Sequence, residues 1–157
     1  MKKFILSLVV IAVLAGCSAD EQATYQDDLA YVGFVSSAVD LKVPINSTSS
    51  VDLVLRASNK SSVARTYNVA AIAAQTDANS ATYSFPATFT IPADSYTGTL
   101  TVSGTDNNLI NSTIKKLTLQ ISGFGANESF DNDKVVINIV LFMCISFYLN
   151  NPAFSLQ

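Results

Sequence analysis

Beyond residue 28 the chain is dominated by short runs in which apolar and polar residues alternate, separated by clusters of Ser, Asn, Asp, Thr and Gly. Such alternation predicts half-buried strands, because successive side chains of a strand point to opposite faces. Seven segments qualify: Leu29 to Ser36, Val51 to Ala57, Tyr67 to Ala74, Ala87 to Ile91, Gly98 to Gly104, Ile114 to Ser122 and Asp133 to Phe142. The sixth has the cleanest pattern, with Leu117, Leu119 and Ile121 on one face and Lys116, Thr118 and Gln120 on the other. The seventh is more continuously apolar, which suits a strand covered on both faces or one whose outer face meets something else. Pro86 and Pro92 bracket the fourth and put it at a sheet edge or on a short crossing. The Ala-rich stretch from Ala70 to Ala78 carries no 3.6-residue stripe. Its Tyr67, Val69 and Ile72 favour strand, and residues 76–80 are turn chemistry. Seven short strands and no helical stripe predict an all-β fold, a seven-stranded immunoglobulin-like Greek-key β-sandwich. No Cys-Trp-Cys pattern is present, so a true immunoglobulin domain is not expected.

The first residues have a different character. Lys2 and Lys3 precede an apolar run from Phe4 to Leu14, too short for a membrane-spanning helix but of signal-peptide length. Leu14-Ala15-Gly16-Cys17 follows and resembles the bacterial lipobox, which implies acylation of the Cys17 thiol. Each buried acyl CH₂ would contribute about 0.8 kcal/mol to the anchor. Residues 18–28 are polar and acidic and read as a tether. Ser18 after the cysteine resembles outer-membrane sorting, and Ser18-Ala19-Asp20-Glu21 resembles the acidic export signal of Bacteroidetes surface lipoproteins. The expected organisation is a signal peptide (1–16), a lipidated tether (17–28), a sandwich domain (29–143) and a C-terminal tail (144–157). The expected location is the cell envelope, on the outer membrane, with the surface face left open.

Composition narrows the chemistry. The 157 residues are 49% hydrophobic and only 13% charged, enough apolar material for one packed domain. Net charge is −3. Loss of residues 1–16 removes two lysines and no acid, leaving −5, so no electrostatic footprint for nucleic acid exists. His is absent, which removes His-based triads and His-based metal sites. With Cys17 lipidated, Cys144 has no partner for a disulfide. No carboxylate pair stands out, so no enzyme activity, catalytic residue or cofactor is expected. The acidic segment Glu128 to Asp133 is a weak calcium candidate through Glu128, Asp131 and Asp133. A solvated inter-strand turn with Phe130 packed inward is the favoured reading of that segment. Tyr83, Phe85 and Tyr96 could stack on sugar rings, although burial in the core is the expectation.

Residues Arg65 to Gly104 (RTYNVAAIAAQTDANSATYSFPATFTIPADSYTGTLTVSG) and the later IKKLTLQISGFGANES resemble Bacteroidetes lipoprotein domains of the Calx-β-like and DUF1735/DUF4843-like kind. The resemblance runs from about Tyr31 to Val140 and implies an extracellular sandwich module. Two functions follow as expectations. One is a non-catalytic binding or spacer module, partnered by the membrane through Cys17 and by a glycan or another envelope protein. The other is a fimbria-like assembly subunit that pairs through its apolar C-terminal segment by strand addition.

Overall fold

A computed structural model describes residues 29–143 other than residue 112. They form an all-β sandwich of ten strands: β1 (Ala30–Phe34), β2 (Ala38–Pro44), β3 (Thr48–Ala57), β4 (Arg65–Ala71), β5 (Tyr83–Ser84), β6 (Thr88–Ile91), β7 (Thr97–Thr105), β8 (Lys115–Ser122), β9 (Glu128–Phe130) and β10 (Lys134–Phe142). The seven expected segments are β1, β3, β4, β6, β7, β8 and β10, and the strand count is corrected to ten. Two of the extra strands, β5 and β9, have two and three residues, too few for a period of two to show. The third, β2, does alternate: Leu41 and Val43 are buried and Asp40 and Lys42 exposed.

Sheet A has the order β5-β7-β3-β1-β9 and sheet B the order β2-β10-β8-β4-β6. Strand β6 is an edge, as its flanking prolines require. The last long strand is interior, between β2 and β8, but among the described residues no third layer covers it. Val135, Ile137 and Ile139 are buried, while Val136, Asn138 and Val140 remain half-buried on the outer face. The Ala-rich stretch leaves β4 as a single 3-10 turn, Ala73–Gln75. Beside it the Thr118 hydroxyl donates to the Gln75 carbonyl at 2.9 Å, which allows this polar residue on the outer side of β8 to be buried.

Between the sheets lie Val32, Leu55 and Val102 from sheet A and Leu41, Tyr67, Ile91, Leu117, Leu119, Ile137 and Ile139 from sheet B, all at most 1% exposed. Each such side chain contributes roughly 1.5–3 kcal/mol by leaving water. Gly104 of β7 faces this core, where an added Cβ would lie 2.7 Å from a Leu41 methyl. The missing side chain is what lets β2 settle against sheet A.

Two pairings in the sandwich are parallel, β1 with β9 and β2 with β10. Strands β1 and β2 belong to different sheets and are joined by residues 35–37. Strands β9 and β10 repeat this with residues 131–133, so two connections cross the sandwich side by side. They are stitched by Phe34 N–H to the Asn132 carbonyl (2.8 Å), Asn132 Nδ2 to the Phe34 carbonyl (3.1 Å) and Val136 N–H to the Ser37 carbonyl (2.9 Å). Gly33 permits the approach, since its Cβ would stand 2.6 Å from the Asn132 nitrogen, a backbone atom that cannot swing aside. Gly33→Ala should therefore cost about 1–3 kcal/mol in urea unfolding. Gly125→Ala, whose nearest neighbour is 3.5 Å away, should stay within about 0.5 kcal/mol of wild type. Equal losses in the two variants would show that the crossing is not a tight contact.

Candidate functional site

The acidic segment that the sequence singles out is a strand at its start, not a turn. Its side chains take separate partners. Glu128 faces the sandwich edge: Oε1 accepts from the Tyr67 hydroxyl at 2.8 Å, and Oε2 accepts from Gly125 N–H at 2.8 Å. Arg65 Nη1 stands 3.8 Å from Oε1, a loose ion pair, while the same guanidinium donates to Asn59 Oδ1 (3.0 Å) and the Asn59 carbonyl (2.8 Å). Asp133 Oδ2 accepts from Gln120 Nε2 at 2.6 Å. Asp131 is exposed and borders a groove on the outer side of sheet A. Among the described residues no three Asp, Glu, His or Cys side chains form a group that could hold a metal ion. Phe130 is 56% exposed, not packed inward, because the β9–β1 register leaves it at the margin, tilted against Phe124 at 5.8 Å between ring centroids.

Tyr67, Glu128 and Phe124 fasten β9 to sheet B. The Tyr67 ring lies 5.6 Å from that of Phe124, and its hydroxyl reaches Glu128 across the gap between the sheets. Burial raises the Tyr67 pKa, the Glu128 hydrogen bond and charge raise it further, and Arg65 opposes them. An unfolded tyrosine titrates near pH 10. With the folded value higher, this stability is fully present below about pH 10 and lost as pH rises beyond it.

The second feature is the groove. It has a volume of about 480 Å³ and is bordered by Tyr31, Gly33, Val35, Arg56, Ser58 and Asp131. A neighbouring depression of about 410 Å³ shares Val35, Arg56, Ala57 and Ser58 and extends to Tyr96 and Thr97. The two therefore form one trough over the end of β3. Tyr96 is 49% exposed and does not enter the core. It precedes β7 in a bend, outside strand register, and Lys60 Nζ stands 5.1 Å from its ring centroid. Tyr83 and Phe85, by contrast, pack against the core and stack at 6.0 Å, as expected. Tyr31 is the residue that sequence reasoning passed over. It is the exposed, out-of-phase member of β1, flanked by the inward Ala30 and Val32, and that phase is the signal that could have found it.

The model of the prokaryotic membrane lipoprotein lipid attachment site matches residues 1–18. Cys17 lies in that match; Cys17, Cys144 and the rest of the tail lie outside the described residues. Comparison with curated proteins returns no match. Solved structures of similar fold include a putative carbohydrate binding protein from Bacteroides ovatus, with TM-score 0.58 and 12% identity over 70% of this chain and 36% of that one. A multidomain protein including DUF1735, also from Bacteroides ovatus, has TM-score 0.57 and 19% identity over 71% of this chain and 45% of that one. The apo form of the Calx CBD1 domain has TM-score 0.56 and 8% identity, covering 73% of this chain and 98% of the domain. The chain thus has the sandwich fold of DUF1735-containing and Calx-β proteins, and it spans less than half the length of the Bacteroides proteins it matches.

Tyr67→Phe tests the fastening of β9. It should lower stability by about 1.5–3 kcal/mol at neutral pH, the range for a hydrogen bond to a charged group. It should also reduce the loss of melting temperature seen between about pH 9 and pH 11. An alkaline profile identical to wild type would show that Tyr67 does not carry the effect.

Proposed function

We propose that this chain is a non-catalytic cell-envelope lipoprotein that displays its sandwich as a binding module on the outer membrane. In this reading Cys17 carries the lipid, residues 17–28 are the tether, residues 29–143 are the module and residues 144–157 are a tail. The observation that carries it is the lipid attachment site at residues 1–18 placed directly ahead of the sandwich. Other features agree. Glu128 and Asp133 are engaged in holding strands together, and the outer face of sheet A presents Tyr31, Arg56, Asp131 and Tyr96 to solvent. A glycan or another envelope protein is the class of partner that reaches such a face.

Strand addition through the apolar C-terminal segment, the alternative, finds less support. Strand β10 is flanked by β2 along Val136–Phe142 and by β8 along Lys134–Ile139, so most of its backbone groups already have partners, while the segment beyond residue 143 lies outside the described residues.

In a Gram-negative host, Cys17→Ala should abolish labelling by an alkynyl palmitate analogue and move the protein from the detergent-rich to the aqueous phase on partitioning. Unchanged labelling would remove the anchor from the proposal. Protease added to intact cells should degrade the wild-type domain; protection until the outer membrane is opened would place the module on its periplasmic side instead.

A further inference from the structure

Tyr31 and Tyr96 stand on the two sides of one strand end. Tyr31 N–H donates to Ser58 Oγ at 3.0 Å and its carbonyl accepts from Ser58 N–H at 2.9 Å, while Ala57 N–H donates to the Tyr96 carbonyl at 2.8 Å. Strands β1 and β7 therefore flank β3 here, which sets the two tyrosine backbones two strand spacings, about 10 Å, apart. Their side chains are 45% and 49% exposed, and the trough described above joins them. Val35, 59% exposed, lines both depressions and adds apolar surface.

The charged side chains and tyrosine hydroxyls of this trough are uncommitted among the described residues, whereas Ser58 Oγ is taken by Tyr31 N–H. The one ion pair among the described residues is Arg65–Glu128, so neither the Arg56 guanidinium nor the Asp131 carboxylate is neutralised by a partner. Among the described residues neither side chain enters a hydrogen bond, nor does the hydroxyl of Tyr31 or Tyr96. Most carboxylates elsewhere among the described residues are spent on the fold, as Asp52 is on Thr101 and Asp133 on Gln120, Asp94 being an exception. Here a forked five-proton donor on β3 and a two-oxygen acceptor just after β9 face solvent on the two sides of Gly33, with Tyr31 beside them and Tyr96 beyond Arg56.

We propose that this trough binds a neutral pyranose glycan, its apolar C–H faces on Tyr31 and Tyr96 and its hydroxyls bonded to Arg56 and Asp131. The proposal rests on the reading of the chain as a displayed binding module and names that module's ligand. Alternation of aromatic platform and hydrogen-bonding fork matches the two kinds of surface that a pyranose ring presents. Arg56 and Asp131 carry opposite charges, so the fork itself selects no acidic sugar; the Lys60 ammonium, over one face of the Tyr96 ring, adds a single positive charge at the far end. A protein partner would be anchored by a closed pocket that excludes water. This trough is open, and its volume is that of a small-ligand site.

The test is affinity gel electrophoresis of the full-length protein, purified from membranes in non-ionic detergent, through gels containing arabinoxylan, galactomannan, yeast mannan or polygalacturonate. Retardation is expected in at least one of the three neutral gels. In that gel Tyr31→Ala and Tyr96→Ala should each weaken binding about tenfold, equivalent to about 1.4 kcal/mol. Tyr31→Phe and Tyr96→Phe, which keep the rings, should stay within about threefold, or roughly 0.7 kcal/mol. Melting temperatures matching wild type establish that the alanine variants are folded, as substitution of half-exposed side chains leads one to expect. No retardation in any neutral gel overturns the proposal. So does retardation by polygalacturonate alone, or retardation that persists in the Tyr31→Ala/Tyr96→Ala double variant. Acylation of Cys17 is read separately by palmitate labelling, so labelled protein that runs unretarded condemns the glycan and not the anchor.

Discussion

The paired crossing of residues 35–37 and 131–133 is the constraint on which the rest of the sandwich depends. Phe34 and Asn132 are 98 residues apart in sequence, yet each bonds the other's backbone. This contact inserts β1 into the interior of sheet A beside β9, and β10 into the interior of sheet B beside β2. Both sheets thus contain strands from both ends of the described chain, and neither can be completed until those ends meet. Closing so long a loop carries an entropic cost that the contacts of the crossing must offset.

The trough and the fastening at Tyr67 are both products of that crossing. Asp131 stands beside Gly33 only because β9 runs parallel to β1, with Ser129 opposite Tyr31 and Phe130 opposite Val32. The same register turns Glu128 towards Tyr67, 61 residues away. Alternation along β9 therefore divides the acidic segment: Glu128 goes to the inner edge and Asp131 to the outer groove. What looks like one cluster in sequence is two environments in the fold.

Long strands with one buried face were legible because water leaves a period of two in their residues. Leu117, Leu119 and Ile121 needed no tertiary information to be assigned inward. Strands β5 and β9 were not legible, since so few residues show no period and only their neighbours hold them extended. Glu128 was read as turn chemistry because its determining partner, Tyr67, is distant in sequence and its distance is fixed by topology. Tyr96 was assigned to the core on the general tendency of large aromatics to be buried. That tendency fails where a bend takes the residue out of strand register and a lysine covers its ring. Tyr31 was the converse case: its outward phase was present in Ala30-Tyr31-Val32, but the aromatic run of LAYVGFVS hid it.

Strand β1 begins at Ala30, immediately after the segment expected to tie the domain to a lipid, so a pull on the N-terminal end in line with β1 would pass through that strand first. The strand is bonded on one side to β3 and on the other, in parallel, to β9. Drag on a domain held by its leash would load both ladders in shear, where several bonds must rupture together, and not peel them open one at a time. An interior first strand, bonded along both edges, would thereby give the sandwich a mechanically resistant N-terminal end.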